Sequence, residues 1–63
     1  MTWEELCEKA KKLGYQYNKD YNYLYHNDYH VTFYSNGEMF VGCTLVVDDR
    51  TPDQIYQIME AFK

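Results

Sequence analysis

The sequence predicts an α+β domain in the order helix, strand, strand, strand, helix, with a three-stranded antiparallel sheet and both helices packed on one face. Three observations predict it. Capping signals precede an apolar stripe near each end of the chain, tyrosines between the stripes recur with period two, and turn-forming residues divide that middle region.

The first helix is predicted over about Trp3 to Leu13. Thr2 and Glu5 have capping-box spacing, and Gly14 is available for the left-handed position past the last turn. Trp3, Leu6, Cys7, Ala10 and Leu13 fall on one stripe, while Glu5/Lys9 and Glu8/Lys12 are spaced to pair along the solvent side. The second helix begins at Thr51-Pro52-Asp53-Gln54, which combines an N-cap, a proline in the first turn and a capping-box glutamine. Ile55, Ile58, Met59 and Phe62 then follow helical spacing toward the chain end.

Between the helices, Tyr15, Tyr17, Tyr21, Tyr23, Tyr25 and Tyr29 all occupy odd positions among mostly polar even ones. Aromatic enrichment with alternation indicates strands, predicted near 15–26, 29–35 and 38–47, with Lys19-Asp20 as a site of bending or interruption in the first. Asn27-Asp28 and Ser35-Asn36-Gly37 are the turns. A two-residue Asn27-Asp28 loop sets Leu24 against Val31, Tyr25 against His30, Tyr23 against Thr32 and Tyr21 against Tyr34. A three-residue second loop with Gly37 at positive φ sets Phe33 against Met39 and Val31 against Val41. Leu24, Val31, Phe33, Met39, Val41, Cys43 and Leu45 then share the face beneath the helices. A two-residue Asn36-Gly37 loop would mix the faces.

With that register, Tyr21, Tyr23, Tyr25, His30, Thr32, Tyr34 and Phe40 share the uncovered face. Tyrosine offers large contact area, few rotatable bonds and a polar tip, so a candidate binding site is Tyr21, Tyr23, Tyr25, His30, Tyr34 and Phe40. The plainer reading is cross-strand stabilisation of an exposed sheet. The third strand, Met39 to Val47, has neither proline nor charge and would lie at a sheet edge, a second candidate for strand pairing with another copy or another protein.

Composition bounds the function classes. The 63 residues hold one small α+β domain, 1–63, and 46% hydrophobic with 25% charged residues is the balance of a folded chain. Ten acidic against six basic side chains leave a net charge of −4, which disfavours nucleic acid as a partner. The element order is shared with double-stranded-RNA-binding domains, a likeness of topology alone: where those domains present lysines, this chain has Asp48, Asp49, Arg50 and Asp53. The opening Met1-Thr2-Trp3-Glu4-Glu5 carries no secretory pattern, and no apolar run reaches membrane-spanning length, so a complete cytoplasmic product without a membrane partner is expected.

The chemistry-bearing residues do not assemble into a predicted catalytic or metal site. His26, Asp28 and His30 are metal-ligand types, but the predicted turn sends the two histidines to different faces, which leaves surface histidines beside a polar turn. Cys7 and Cys43 are read as reduced, buried thiols, and His30 points away from Cys43, so no Cys-His nucleophile is expected. There is no GxSxG, phosphate-binding loop or dinucleotide fingerprint. The expected function is a small acidic, non-enzymatic protein-interaction module without a cofactor, binding a protein partner or a second copy. The alternative is an acidic inhibitor of the kind mobile elements encode, with Glu4, Glu8, Asp48, Asp49 and Asp53 replacing phosphates in a basic groove of a host enzyme.

Overall fold

The computed structural model describes residues 1–62. The α+β class stands, but the sheet has five strands where the sequence predicts three. Helix α1 (Trp3–Lys12) is followed by β1 (Gln16–Asn18), β2 (Tyr23–His26), β3 (Val31–Tyr34), β4 (Met39–Val41), β5 (Thr44–Val47) and helix α2 (Pro52–Ala61). The strands form an antiparallel meander in sequence order.

Both helices begin with capping boxes. The Thr2 and Thr51 hydroxyls accept from the Glu5 and Gln54 amides, and those two side chains accept in return from the Thr2 and Thr51 amides. Helix α1 ends in a Schellman motif: the Tyr15 amide donates to Ala10 and the Gly14 amide to Lys11, with Gly14 at φ +92°. That turn delivers Tyr15 directly onto Ala10 and into the core, where it is 4% exposed. Two of the predicted surface pairs rearrange. Glu8 meets Lys11 at 3.7 Å, and Lys9 lies 5.3 Å from the Tyr56 ring centre.

The extra strands come from two turns inside the predicted strands. The stretch 15–26 folds back at residues 19–22, where the Asn18 side chain accepts from the Asp20 and Tyr21 amides and Asn22 takes φ +60°. The stretch 38–47 folds back at Gly42-Cys43, with Gly42 first in the loop at φ +63°, the order of type II′ hairpins. The β2–β3 loop has four residues, 27–30, instead of two, so Leu24 faces Phe33 and Tyr23 faces Tyr34. This displaces the predicted register by two residues and therefore keeps every paired side chain of β2 and β3 on its predicted face, while His30 passes into the loop. The β3–β4 register is the predicted one, Phe33 with Met39 and Val31 with Val41, and Gly37 has φ +92°.

The core joins Leu6, Cys7 and Ala10 of α1 and Ile55 and Met59 of α2 to Tyr15, Leu24, Val31, Phe33 and Met39. Each fully buried large apolar side chain contributes about 1.5–3 kcal/mol relative to exposure. Val41, Cys43 and Leu45, predicted in this core, are exposed instead. The Gly42-Cys43 turn accounts for the last two: Cys43 sits in the loop, and the reversal places Leu45 opposite Phe40 on the other face, whereas Val41 keeps its predicted partner Val31 and is exposed beside the turn. A bulge at Val46 then restores Val47 to the helix side, opposite Met39.

Two peripheral clusters seal the core. The Asn22 side-chain oxygen accepts from the Trp3 indole at 2.9 Å and the Tyr17 hydroxyl at 2.8 Å. At the opposite end, the His26 ring meets Tyr15 edge-on and stacks on Tyr29, and Tyr29 stacks on Phe62 while its hydroxyl donates to the Phe62 carbonyl at 2.6 Å. No helix among the described residues is long and apolar enough to cross a membrane.

Candidate functional site, an aromatic sheet face

The face of the sheet opposite the helices is built by strand alternation. Gln16 and Asn18 pair with Tyr25 and Tyr23; these pair with Thr32 and Tyr34; Thr32 pairs with Phe40, and Phe40 with Leu45. Directly paired residues point to the same side, so one surface collects them all. The paired strand positions contribute no charged side chain, and Glu38, opposite Tyr34 where β3 turns into β4, is the carboxylate at the border of this face.

The rings form a connected line. Tyr21 stacks on Tyr23 at 6.5 Å and 17°, Tyr23 meets Tyr34 at 5.4 Å and 62°, and Tyr34 meets Phe40 at 5.5 Å and 79°. Tyr25 joins from the side, 5.7 Å from Tyr23. Tilted contacts of this kind contribute about 0.5–1.5 kcal/mol each beyond area burial, so the platform is held in shape before anything touches it. The Tyr25 hydroxyl donates to Gln16 at 2.5 Å, and Asn18 donates to the Tyr23 hydroxyl at 3.3 Å. These bonds fix two ring orientations through β1.

Of the predicted site residues, Tyr23, Tyr25, Tyr34 and Phe40 occupy this platform half-buried, and Tyr21 overhangs it from the β1–β2 loop at 74% exposure. His30 does not belong to it. The longer β2–β3 loop places His30 in the turn at φ +54°, where its carbonyl accepts from the Gly42 amide at 2.8 Å. The side chain borders a shallow hollow shared with Tyr25, Thr32 and Gly42. Leu45 extends the platform where the sequence places it in the core; the signal available was the Gly-X turn at Gly42-Cys43, which reverses the face of the residues up to the bulge at Val46. With Val41 and Val46, Leu45 makes the β5 side the most exposed aliphatic region among the described residues.

The titratable groups give little chemistry. Burial raises the Cys7 thiol above its ordinary range, with Glu4 and Glu8 adding to the rise. The Tyr15 phenol is pushed up to about 12, first by burial and then by Tyr29, and its hydroxyl is buried without a hydrogen-bond partner among the described residues. Glu5 is lowered by its bonds to Thr2, the backbone one first. The His26 Nδ1 accepts from the Asp28 amide at 3.2 Å, which ties the ring to the β2–β3 loop. Among the described residues, no group of three or more His, Cys, Asp and Glu is placed to hold a metal ion. The acidic positions are dispersed: Asp53 binds the Met1 ammonium at 3.2 Å, Glu8 meets Lys11, and Asp49 occupies a left-handed backbone position.

No protein-family model matches the chain, and no curated protein or solved structure shows significant similarity to it.

Proposed function

We propose that this chain is a non-enzymatic protein-interaction module whose contact surface is the aromatic face formed by Tyr21, Tyr23, Tyr25, Tyr34, Phe40 and Leu45. One observation carries the reading: a line of touching rings crosses three strands on the face that neither helix covers, and the exposed aliphatic residues of β5 continue it. Interface centres favour aromatic side chains and are depleted in charge, which is the composition of this face. The partner is protein, either another chain or a second copy of this one. The acidic-inhibitor reading gains less support, because Asp53 and Glu8 are already paired within the chain.

The test is the concentration dependence of mass by light scattering, alone and with captured partners, for Tyr21→Ala and Tyr34→Ala. Tyr21 is mostly exposed and makes a single ring stack on this face, so its removal leaves the core untouched. Association weakened by about tenfold or more is the expected result for a ring near the centre of an interface. Unchanged association in both variants, with unfolding midpoints retained for Tyr21→Ala, removes the face as the contact surface.

A further inference from the structure

The last strand of the sheet has an open edge whose hydrogen-bonding groups can be assigned. The Tyr34 amide donates to the Glu38 carbonyl at 2.9 Å, and the Gly42 amide donates to the His30 carbonyl at 2.8 Å. In an antiparallel ladder, successive residues direct their N–H and C=O groups to alternate sides. The even positions 38, 40 and 42 therefore bond toward β3, and Met39 and Val41 bond toward β5. Thr44, paired with Val41, closes the Gly42-Cys43 hairpin. Leu45 lies opposite Phe40, whose backbone groups are directed to β3, so the N–H and C=O of Leu45 both point off the edge of the sheet. The strand Thr44–Val47 carries no charge or proline to guard that edge, and Leu45 and Val46 are 45% and 53% exposed.

A second observation lies beside it. Between β5 and α2 runs an open cleft of about 440 Å³, lined by Val47, Arg50, Gln54, Gln57, Ile58 and Ala61. It occupies the helix side of the sheet edge, where a sixth strand would send every other side chain. Its floor is aliphatic at Val47, Ile58 and Ala61, its wall carries two amides, and Arg50 is its single charged residue. The Arg50 amide is bonded to the Gly37 carbonyl at 3.2 Å, which anchors the backbone there, while its guanidinium forms no ion pair among the described residues.

We propose that the β5 edge and the β5–α2 cleft together accept an extended peptide segment of a partner protein, added antiparallel to β5 as a sixth strand. The residue opposite Leu45 exchanges both backbone hydrogen bonds with it and lays its side chain beside Leu45 on the aromatic face. The preceding residue places an aliphatic side chain in the cleft against Val47 and Ile58, and an acidic residue further toward the segment's N-terminus meets Arg50. Backbone bonds supply affinity and the alternating side chains supply selectivity, as in other strand-addition sites. In a chain of net charge −4, a cleft whose single charge is a guanidinium selects a carboxylate. The inference rests on the reading of the chain as a protein-interaction module and names a second surface and its ligand.

The probe is a blocked heptapeptide of glutamate followed by alternating threonine and valine, which puts glutamate and the valines on the cleft side, with a glutamine-headed version as control, titrated by amide NMR and hydrogen exchange. Saturation is expected to slow exchange at the Leu45 amide by about tenfold or more, consistent with a newly bonded edge. Shifts are expected at Val47, Arg50, Gln57 and Ile58. Replacing glutamate by glutamine in the peptide is expected to weaken binding about two- to fivefold, the range of a partly exposed ion pair. Arg50→Gln is expected to equalise the two peptides. A Leu45 amide that stays unprotected at saturation, with shifts confined to Tyr34 and Phe40, overturns strand addition while leaving the aromatic face as a contact surface. Absence of binding by either peptide overturns it as well. Leu45 protection that grows with protein concentration in the absence of peptide assigns the edge to a second copy and likewise overturns the peptide site.

Discussion

Tyr15→Phe removes one oxygen atom from the core and tests the internal logic of the fold. The Schellman turn after α1 drives Tyr15 inward against Ala10, where its ring meets His26 at 5.0 Å and Phe33 at 5.9 Å. Its hydroxyl is buried with no hydrogen-bond partner among the described residues. A buried unsatisfied polar group costs about 1–3 kcal/mol, so the phenylalanine variant is expected to be more stable than the parent by that amount at neutral pH. The advantage should grow in alkali. Burial lifts the phenol from 10.0 to about 12, so the folded state holds its proton over an interval in which the unfolded state has lost it. A raised folded pKa means that the linked stability is complete below the unfolded value and is lost as pH climbs through the folded one. Two pH units correspond to roughly 3 kcal/mol, which Tyr15→Phe should abolish as a pH-dependent difference. Urea unfolding of both proteins at neutral pH and near pH 12, with tyrosinate absorbance as a second signal, measures each part. A variant less stable than the parent by about 1 kcal/mol or more at neutral pH would show that the hydroxyl is satisfied, and would refute the reasoning.

Two further outcomes follow from local geometry. At Gly37 (φ +92°) an added Cβ would come closer than 3.0 Å to the backbone of Asp49 and Arg50, whereas at Gly42 (φ +63°) it would meet open space. Gly37→Ala is therefore expected to cost more than about 3 kcal/mol and Gly42→Ala only about 1–2, compared by urea midpoints; equal costs would count against the close approach of the 49–50 segment. Cys43 is exposed in a loop and Cys7 is buried with a raised pKa, so a maleimide is expected to label Cys43 rapidly and Cys7 only on unfolding, as mass spectrometry of digests would show. Comparable labelling of the two in the native protein would contradict the placement of α1.

The helices were legible because their signals are local: Thr2 with Glu5, and Thr51 with Gln54, describe the same two capping boxes in the sequence and in the structure. The face of each central side chain was legible for a different reason. The β2–β3 loop is two residues longer than expected, but a displacement by two preserves the inside and outside of every strand residue. Position 37 fixed the next register because glycine was needed there twice, for its backbone angle and for the passing segment. What failed was the reading of Met39 to Val47 as one strand. An almost continuously apolar run conceals a two-residue reversal, and hydrophobic periodicity does not detect a turn built from glycine and cysteine. Cys43 and Leu45 were misplaced by that single omission, and the exposed edge of β5 was obscured with them. His30 was misplaced by the loop length, since a histidine at positive φ gives no sign of itself in sequence. Tyr15 followed the period-two pattern of its neighbours, yet the capping motif just before it decided its position.

Every strand in this meander is hydrogen-bonded only to strands adjacent in the chain. Each pairing closes over a short loop, so the search for partners costs little chain entropy, and the sheet can zip outward from whichever reversal forms first within microseconds to milliseconds. Only the docking of α2 onto α1 must gather segments from both ends of the chain, by way of Ile55, Met59 and the bond from Met1 to Asp53. Assembly thus divides into a rapid local stage and a later clasping of the ends.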